Sequence, residues 1–394
     1  MPATTRAPAV IAAACITLFA GTAGASTLTV LYPFRGGADG ALPQASVIYR
    51  DGIIFGTTCC GGTPAAGTVF SVNVATGAET QLYSFKGGKD GSEPYAGLVY
   101  HDGYLYGTTY GGGGSADGAC GGGLGCGVVF KVDPRTSREK VLHRFTGGAD
   151  GYTPRGGLLY LDGALYGVTS NGGASHDGTI YRMNIQTGAE TVLHAFAGRK
   201  DGANPGDTLL AVDGELYGVA YRGGAASAGT VFKLDPSTSA FTVLYQFSDK
   251  NDGGYPFGGL IYQGGRLYGT TYFGGKYDLG TAYSVDPATG TEAVLHDFAG
   301  KSDGALPTGV VYQDGSLYGL TSGGGAYDAG TLFRLDLKSG AESLLYTFTG
   351  GGDGGYPYDR LSYASGAFYG TTYEGGNLQA CVGMSCGLVF KFTP

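Results

Sequence analysis

The residues able to do chemistry stand out by breaking a pattern. A proline recurs seven times, and the residues directly after it are Gln44, Tyr95, Arg155, Gly206, Phe257, Thr308 and Tyr358. Most of their neighbours are small; Asp207, Asp359 and Arg360 are not. Rings from Tyr95, Phe257 and Tyr358, with amide, guanidinium and carboxylate groups among them, would give a polar ligand such as a carbohydrate both stacking surfaces and orienting groups. Tyr110, Tyr152, Tyr255, Tyr272, Tyr356 and Tyr373 add rings in nearby loops. The same set would also equip a polysaccharide lyase or hydrolase. Arg155 or Arg360 would neutralise a uronate, Tyr95 or Tyr358 would move a proton, and Asp207 with Asp359 would serve as acid and base. That reading needs these side chains to converge. No nucleophile elbow, phosphate loop, HExxH or zinc-finger spacing occurs in the chain. The expected function is therefore non-catalytic binding of a carbohydrate or protein without a cofactor. A lyase or hydrolase and a structural cell-surface protein are the alternatives.

Sulfur chemistry is the second possibility. Beyond Cys15, six cysteines remain: Cys59, Cys60, Cys120, Cys126, Cys381 and Cys386. An even number in an exported chain reads as disulfides. Cys120–Cys126 and Cys381–Cys386 would each staple a glycine-rich insertion, Gly114–Cys126 and Asn377–Cys386. Cys59 and Cys60 would then form a vicinal pair or bond across units. A thiolate metal site lacks accompanying histidines at these spacings. An aspartate also precedes glycine in every copy: Asp39, Asp90, Asp150, Asp201, Asp252, Asp303 and Asp353. A side chain bonding its own backbone two residues on accounts for that pairing, and one carboxylate per loop falls short of a calcium cage. His143, His194 and His296 stand where other copies have tyrosine, so they read as aromatic substitutes.

The elements that must position these residues are copies of one unit. The segment LYPFRGGADGALP at Leu31 recurs from Leu82, Leu142, Leu193, Leu244, Leu295 and Leu345, at spacings of 51, 60, 51, 51, 51 and 50. Each unit holds four short apolar segments, as in GGLIYQ, RLYGTTYF, GTAYSVD and TEAVLHDF, here called strands A to D. Asp-Gly or a relative joins A to B, which suits a two-residue hairpin. Asp-Pro-Ala-Thr-Gly (286–290) and its relatives join C to D. These strands are apolar on both faces, so every sheet needs a neighbour on each side. Radial stacking supplies it: an all-β, seven-bladed propeller of four-stranded antiparallel blades. The chain opens with a lone D strand and its last unit stops after C. The N-terminal strand is thus expected to complete the C-terminal blade. If strand A is innermost, the residues after the prolines ring the channel mouth.

The order LYGTTY, diglycine, GTVFKVDP and turn resembles a kelch-type blade. More closely, the LYxFxGGxDGxxP…YGTTxxGG…GTVF unit resembles the Gloeo-Verruco (GloVer) tandem repeat of secreted bacterial proteins, across all seven copies. The resemblance implies the propeller and export, and brings no activity with it. Some members of that family carry a C-terminal anchoring signal, which this sequence does not show.

Composition agrees with a turn-rich, packed chain. Glycine is 78 of 394 residues with no collagen period, and hydrophobic residues are 42%. With 24 Lys+Arg against 32 Asp+Glu and no basic run, nucleic acid is not an expected partner. Residues 1–25 combine Arg6, an apolar run and Ala23-Gly24-Ala25, the layout of a secretory signal peptide. A secreted or periplasmic monomer made of one domain over 26–394, with no membrane span, is expected.

Overall fold

The computed structural model describes residues 26–114, 120, 123–377, 381 and 385–394. The leader expected at 1–25 lies outside them, as do parts of the two insertions.

Seven antiparallel sheets form the fold, ordered A, B, C, D in each. In the first blade these strands are Ile48–Arg50, Ile53–Thr58, Thr68–Asn73 and Glu79–Ser84. Both residues of the A–B turn have positive φ, Asp51 at 49° and Gly52 at 81°, and Asp102–Gly103, Asp162–Gly163 and Gly264–Gly265 follow suit. That is the hairpin the Asp-Gly pairs predict. Strands A are innermost: those of blades seven and one lie against each other, as do those of four and five. The fourth blade splits its strand A into Ala203–Pro205 and Leu210–Val212, both pairing with Glu215–Arg222.

The ring closes as expected. Strand Thr27–Pro33 pairs with Leu388–Thr393, Thr27 opposite Thr393 and Pro33 opposite Leu388. The register shift between Val30 and Tyr32 recurs between C and D of other blades, for instance between Val69 and Phe70. The first strand is therefore a true strand D.

Core packing lies in the seams between blades. The phenylalanine ending strand D meets the aromatic ring of strand C in the next blade, edge to face: Phe85–Phe130 at 5.0 Å, Phe196–Phe232 at 5.4 Å, Phe298–Phe333 at 5.0 Å. Phe34–Phe70 repeats this contact at 5.0 Å across the closure. Each such pair contributes about 0.5–1.5 kcal/mol beyond its burial. Strand B leaves room for the ring with glycine: a Cβ on Gly56 would lie 2.6 Å from Phe70 Cζ. Polar bonds stitch the same seams, Thr57 Oγ1 donating to Ala96 O at 3.1 Å and Thr371 Oγ1 to Ala45 O at 3.1 Å.

Candidate functional site

The mouth is built by an unusual backbone step. The residue before each loop proline has positive φ: Leu42, Glu93, Thr153, Asn204, Tyr255, Leu306 and Tyr356 lie between 53° and 58°. For residues other than glycine this costs of order 1–3 kcal/mol. Its N–H compensates by reaching the preceding blade, Glu93 N to Ala66 O at 2.9 Å and Leu42 N to Cys386 O at 2.8 Å. The residue after the proline is thereby delivered to the axis at the start of strand A.

Gln44, Tyr95, Arg155, Gly206, Phe257 and Tyr358 line one axial cavity together with Asp207, Asp359 and Arg360. Thr308 does not. It is fully buried, and its Oγ1 donates to Leu320 O at 3.3 Å. The cause is the close approach of strands A in blades five and six, where a Cβ on Gly258 would lie 2.2 Å from Thr308 O.

A larger cavity of about 340 Å³ opens off-axis, lined by residues of blades two to five and by Tyr358 of blade seven. It shares Arg155, Gly206, Asp207, Phe257 and Tyr358 with the axial cavity, and adds Tyr110, Ser170, Asn171, Asn204, Tyr221, Arg222 and Tyr272. Beneath it the axial cavity offers only about 50 Å³. The two form a funnel, wide and aromatic above, narrow and charged below. Sequence reasoning did not single out Ser170, Asn171, Asn204, Tyr221 and Arg222. The available signal is a second ring of variation, the two residues before each diglycine: Cys59-Cys60, Tyr110-Gly111, Ser170-Asn171, Tyr221-Arg222, Tyr272-Phe273, Ser322-Gly323 and Tyr373-Glu374.

The carboxylates brought together at the floor are engaged with backbone. Asp359 Oδ2 accepts from Ser46 N at 2.7 Å across the closing seam, and Asp207 Oδ2 accepts from Gly258 N of the next blade at 3.1 Å. Burial first, then the charge of Asp359, push Asp207 up to about 6, against the pull of Arg360, Gly258 N–H and Arg155. Burial likewise raises Asp359, opposed mainly by Arg360. Among the described residues, Arg155, Arg222 and Arg360 form no ion pair.

The repeated aspartates bond their loops differently from the two-residues-on expectation. Asp90 Oδ2 accepts from Lys86 N, four residues back, at 3.0 Å and from Tyr83 OH at 2.8 Å. His194 and His296 replace that tyrosine in packing and in bonding, with Nε2 at 2.8 Å from Asp201 and 2.9 Å from Asp303.

Cys120–Cys126 and Cys381–Cys386 are disulfides. Cys59 and Cys60 are bonded neither to each other nor across blades, which corrects the expected pairing. Both are free thiols with sulfurs 3.0 Å apart. Their peptide is held to the first loop, Cys59 N by Leu42 O at 3.4 Å and Cys60 N by Ala41 O at 3.2 Å. The hydrogen bond between them raises the Cys59 thiol and lowers that of Cys60.

These features define a seven-bladed propeller closed by its own first strand, with one funnel-shaped mouth. The family model described as the Gloeobacter/Verrucomicrobia repeat matches residues 17–121 and 119–315, and the chain belongs to that family. No curated protein matches it. Among solved structures it is similar to the extracellular domain of a putative one-component system, BT4673 from B. thetaiotaomicron, at 12% identity and TM-score 0.57 over 94% of this chain and 42% of that one. An oligogalacturonate lyase in complex with manganese shares 14% identity, TM-score 0.54 and 93% of each chain. The computationally designed Ika8 protein shares 15% identity and TM-score 0.53 over 93% of this chain and 99% of its own. At these identities the likeness is one of fold.

Proposed function

We propose that the chain is an exported, non-catalytic carbohydrate-binding propeller whose ligand seats in the off-axis funnel. The observation that carries this is the funnel's lining. Rings of Tyr110, Tyr221, Phe257, Tyr272 and Tyr358 face one cavity of about 340 Å³ with the amides of Asn171 and Asn204 and two guanidinium groups. Rings cover the apolar faces of a sugar while amides bond its hydroxyls. An enclosed funnel fits a sugar ring better than a flat protein surface. Asp207 and Asp359, which an enzyme would need free, hold neighbouring blades by backbone N–H. Two disulfides support an oxidising compartment. Among the described residues no helix is long and apolar enough to cross a membrane.

Calorimetric titration with a panel of neutral and acidic oligosaccharides tests the reading. One class should bind, and Phe257→Ala or Tyr272→Ala should weaken it about tenfold or more. Absence of binding across the panel would remove the proposal. A second reading, a lyase or hydrolase, draws on Asp207, whose carboxyl at about 6 lies in the range of a general acid. It requires a bound oligosaccharide to be cleaved by the wild type and left intact by Asp207→Asn.

A further inference from the structure

We infer that the funnel takes an acidic polysaccharide, with an anionic sugar held by Arg155 and Arg222 and the adjoining sugars leaving radially over the fifth blade. This rests on the carbohydrate reading above and specifies its ligand.

The charge argument begins with cations that the protein leaves unspent. Arg155 and Arg222 both line the funnel, and Arg360 stands at its floor. None of the three is ion-paired, and none donates a guanidinium hydrogen bond, among the described residues. This occurs in a chain of formal charge −8 with only 24 Lys+Arg. The funnel's two carboxylates, Asp207 and, at the floor, Asp359, are turned to the backbone N–H groups of Gly258 and Ser46, and the charge of Arg360 acts on both. Arg155 lines both the wide and the narrow part of the funnel. Guanidinium is the group that grips planar carboxylates and sulfate oxygens most specifically.

The direction of the chain follows from the rings. The axial floor is too tight for a sugar to thread through the ring. Beside the cavity the rings form a closed cluster, Phe257 to Tyr272 at 5.6 Å, Tyr272 to Phe273 at 4.9 Å, Phe273 to Tyr255 at 5.7 Å and Tyr255 back to Tyr221 of the wall at 5.3 Å. Phe273 is 36% exposed, and Tyr277 beyond it is 48% exposed. The sixth blade has Ser322 and Gly323 in place of Tyr272 and Phe273 and repeats Tyr277 as Tyr327, 63% exposed, so the fifth blade is set apart by the rings at 272 and 273. Phe273, exposed beside the pocket on the fifth blade, gives an adjoining sugar a second stacking surface, which suits a polymer over a lone sugar.

The test titrates the full mature protein with oligogalacturonates of one to four sugars, the same oligomers after carboxyl reduction, sulfated chondroitin oligomers and their desulfated forms. The uronate or the sulfated tetramer should bind about tenfold or more tighter than its neutral counterpart. Arg155→Gln combined with Arg222→Gln should erase that preference, and Arg155→Lys should retain part of it. Phe273→Ala should weaken the tetramer and leave the single sugar unchanged. A preference for uronate or for sulfate supports the inference and tells which anion is read. Equal binding of charged and neutral oligomers, indifferent to the arginine substitutions, overturns it and leaves the carbohydrate reading standing. Failure of every oligomer to bind overturns both. Circular dichroism and the two intact disulfides verify that each variant is folded.

Discussion

Asp207 is where joining the blades and lining the cavity compete. Its carboxylate takes the N–H of Gly258, yet burial and Asp359 make its charge costly, so folded Asp207 titrates near 6 against 3.8 ordinarily. A carboxyl raised by folding binds its proton more tightly in the native state. Its favourable contribution is complete below about pH 4 and is lost as pH rises through about 6, reaching at most about 3 kcal/mol. Asp207→Asn should therefore lose less stability than the wild type between pH 4 and pH 8, read from urea unfolding at both. Identical pH dependence in the two proteins would refute the assignment. A milder conflict sits at Tyr181 and Tyr283, which occupy the ring position held by phenylalanine in the other blades. Their hydroxyls are buried without a partner among the described residues. Tyr283→Phe should stabilise by up to about 1 kcal/mol, because it removes an unsatisfied group without opening a cavity. A clear loss of stability in thermal denaturation would show that the hydroxyl has a partner.

At the scale of the element, the unit of stability is a strand together with the blade before it. The outer seams show this in a repeated trio. Tyr245 OH donates to Asp252 at 2.9 Å, and Glu292 comes from the next strand D with one carboxyl oxygen buried and unpartnered. Burial, then the charge of Asp252, push Glu292 up to about 7, and Glu79, Glu139 and Glu190 reach about the same. The sign is again that of a raised acid: stability is full below about pH 4.5 and falls as pH rises through about 7. Glu292→Gln should gain about 0.5–1 kcal/mol at pH 8, discounted for its half-exposed position, and close to nothing at pH 4. A gain equal at both pH values would trace it to something other than charge. The fourth blade has Phe241 in this place, stacked on His194 at 3.8 Å. Much of this architecture was legible in the sequence, because seven copies average out local ambiguity. Strand order, hairpin type, closure and two disulfides could all be read. What could not be read depends on contacts between copies. The glutamate facing another blade's aspartate, the loss of Thr308 behind two glycines, and the off-axis position of the funnel are set by how sheets meet. So is the free pair Cys59 and Cys60, since spacing alone cannot say whether adjacent thiols are bonded.

For the molecule as a whole, a D–A loop crosses every seam between blades, and the junction without a chain connection lies inside the seventh blade, where Leu388–Thr393 meets Thr27–Pro33 by strand pairing alone. Thr27–Pro33 supplies the outer strand of the last blade, and Phe34 supplies the ring packed on Phe70. Without them, Leu388–Thr393 would become a free sheet edge with an apolar flank. A chain beginning at Arg35 should thus unfold at markedly lower temperature and self-associate, since a second copy or another strand can pair with that edge. Restoring the strand elsewhere separates lost pairing from lost chain. In a circular permutant, residues 26–34 follow Pro394 through a five-residue turn copied from 286–290, and the new start lies at Arg35. Every native strand pair is kept, and closure moves to the loop before the first blade. This permutant should sediment as the wild type does and lie within about 1–2 kcal/mol of its stability, because the loop-closure term changes only slowly with length. If the truncated chain matched the intact one in stability and in sedimentation, the N-terminal strand would not be what holds the ring shut. A permutant as unstable as the truncation would point instead to the register at the last blade, which only the native order of strands would then secure.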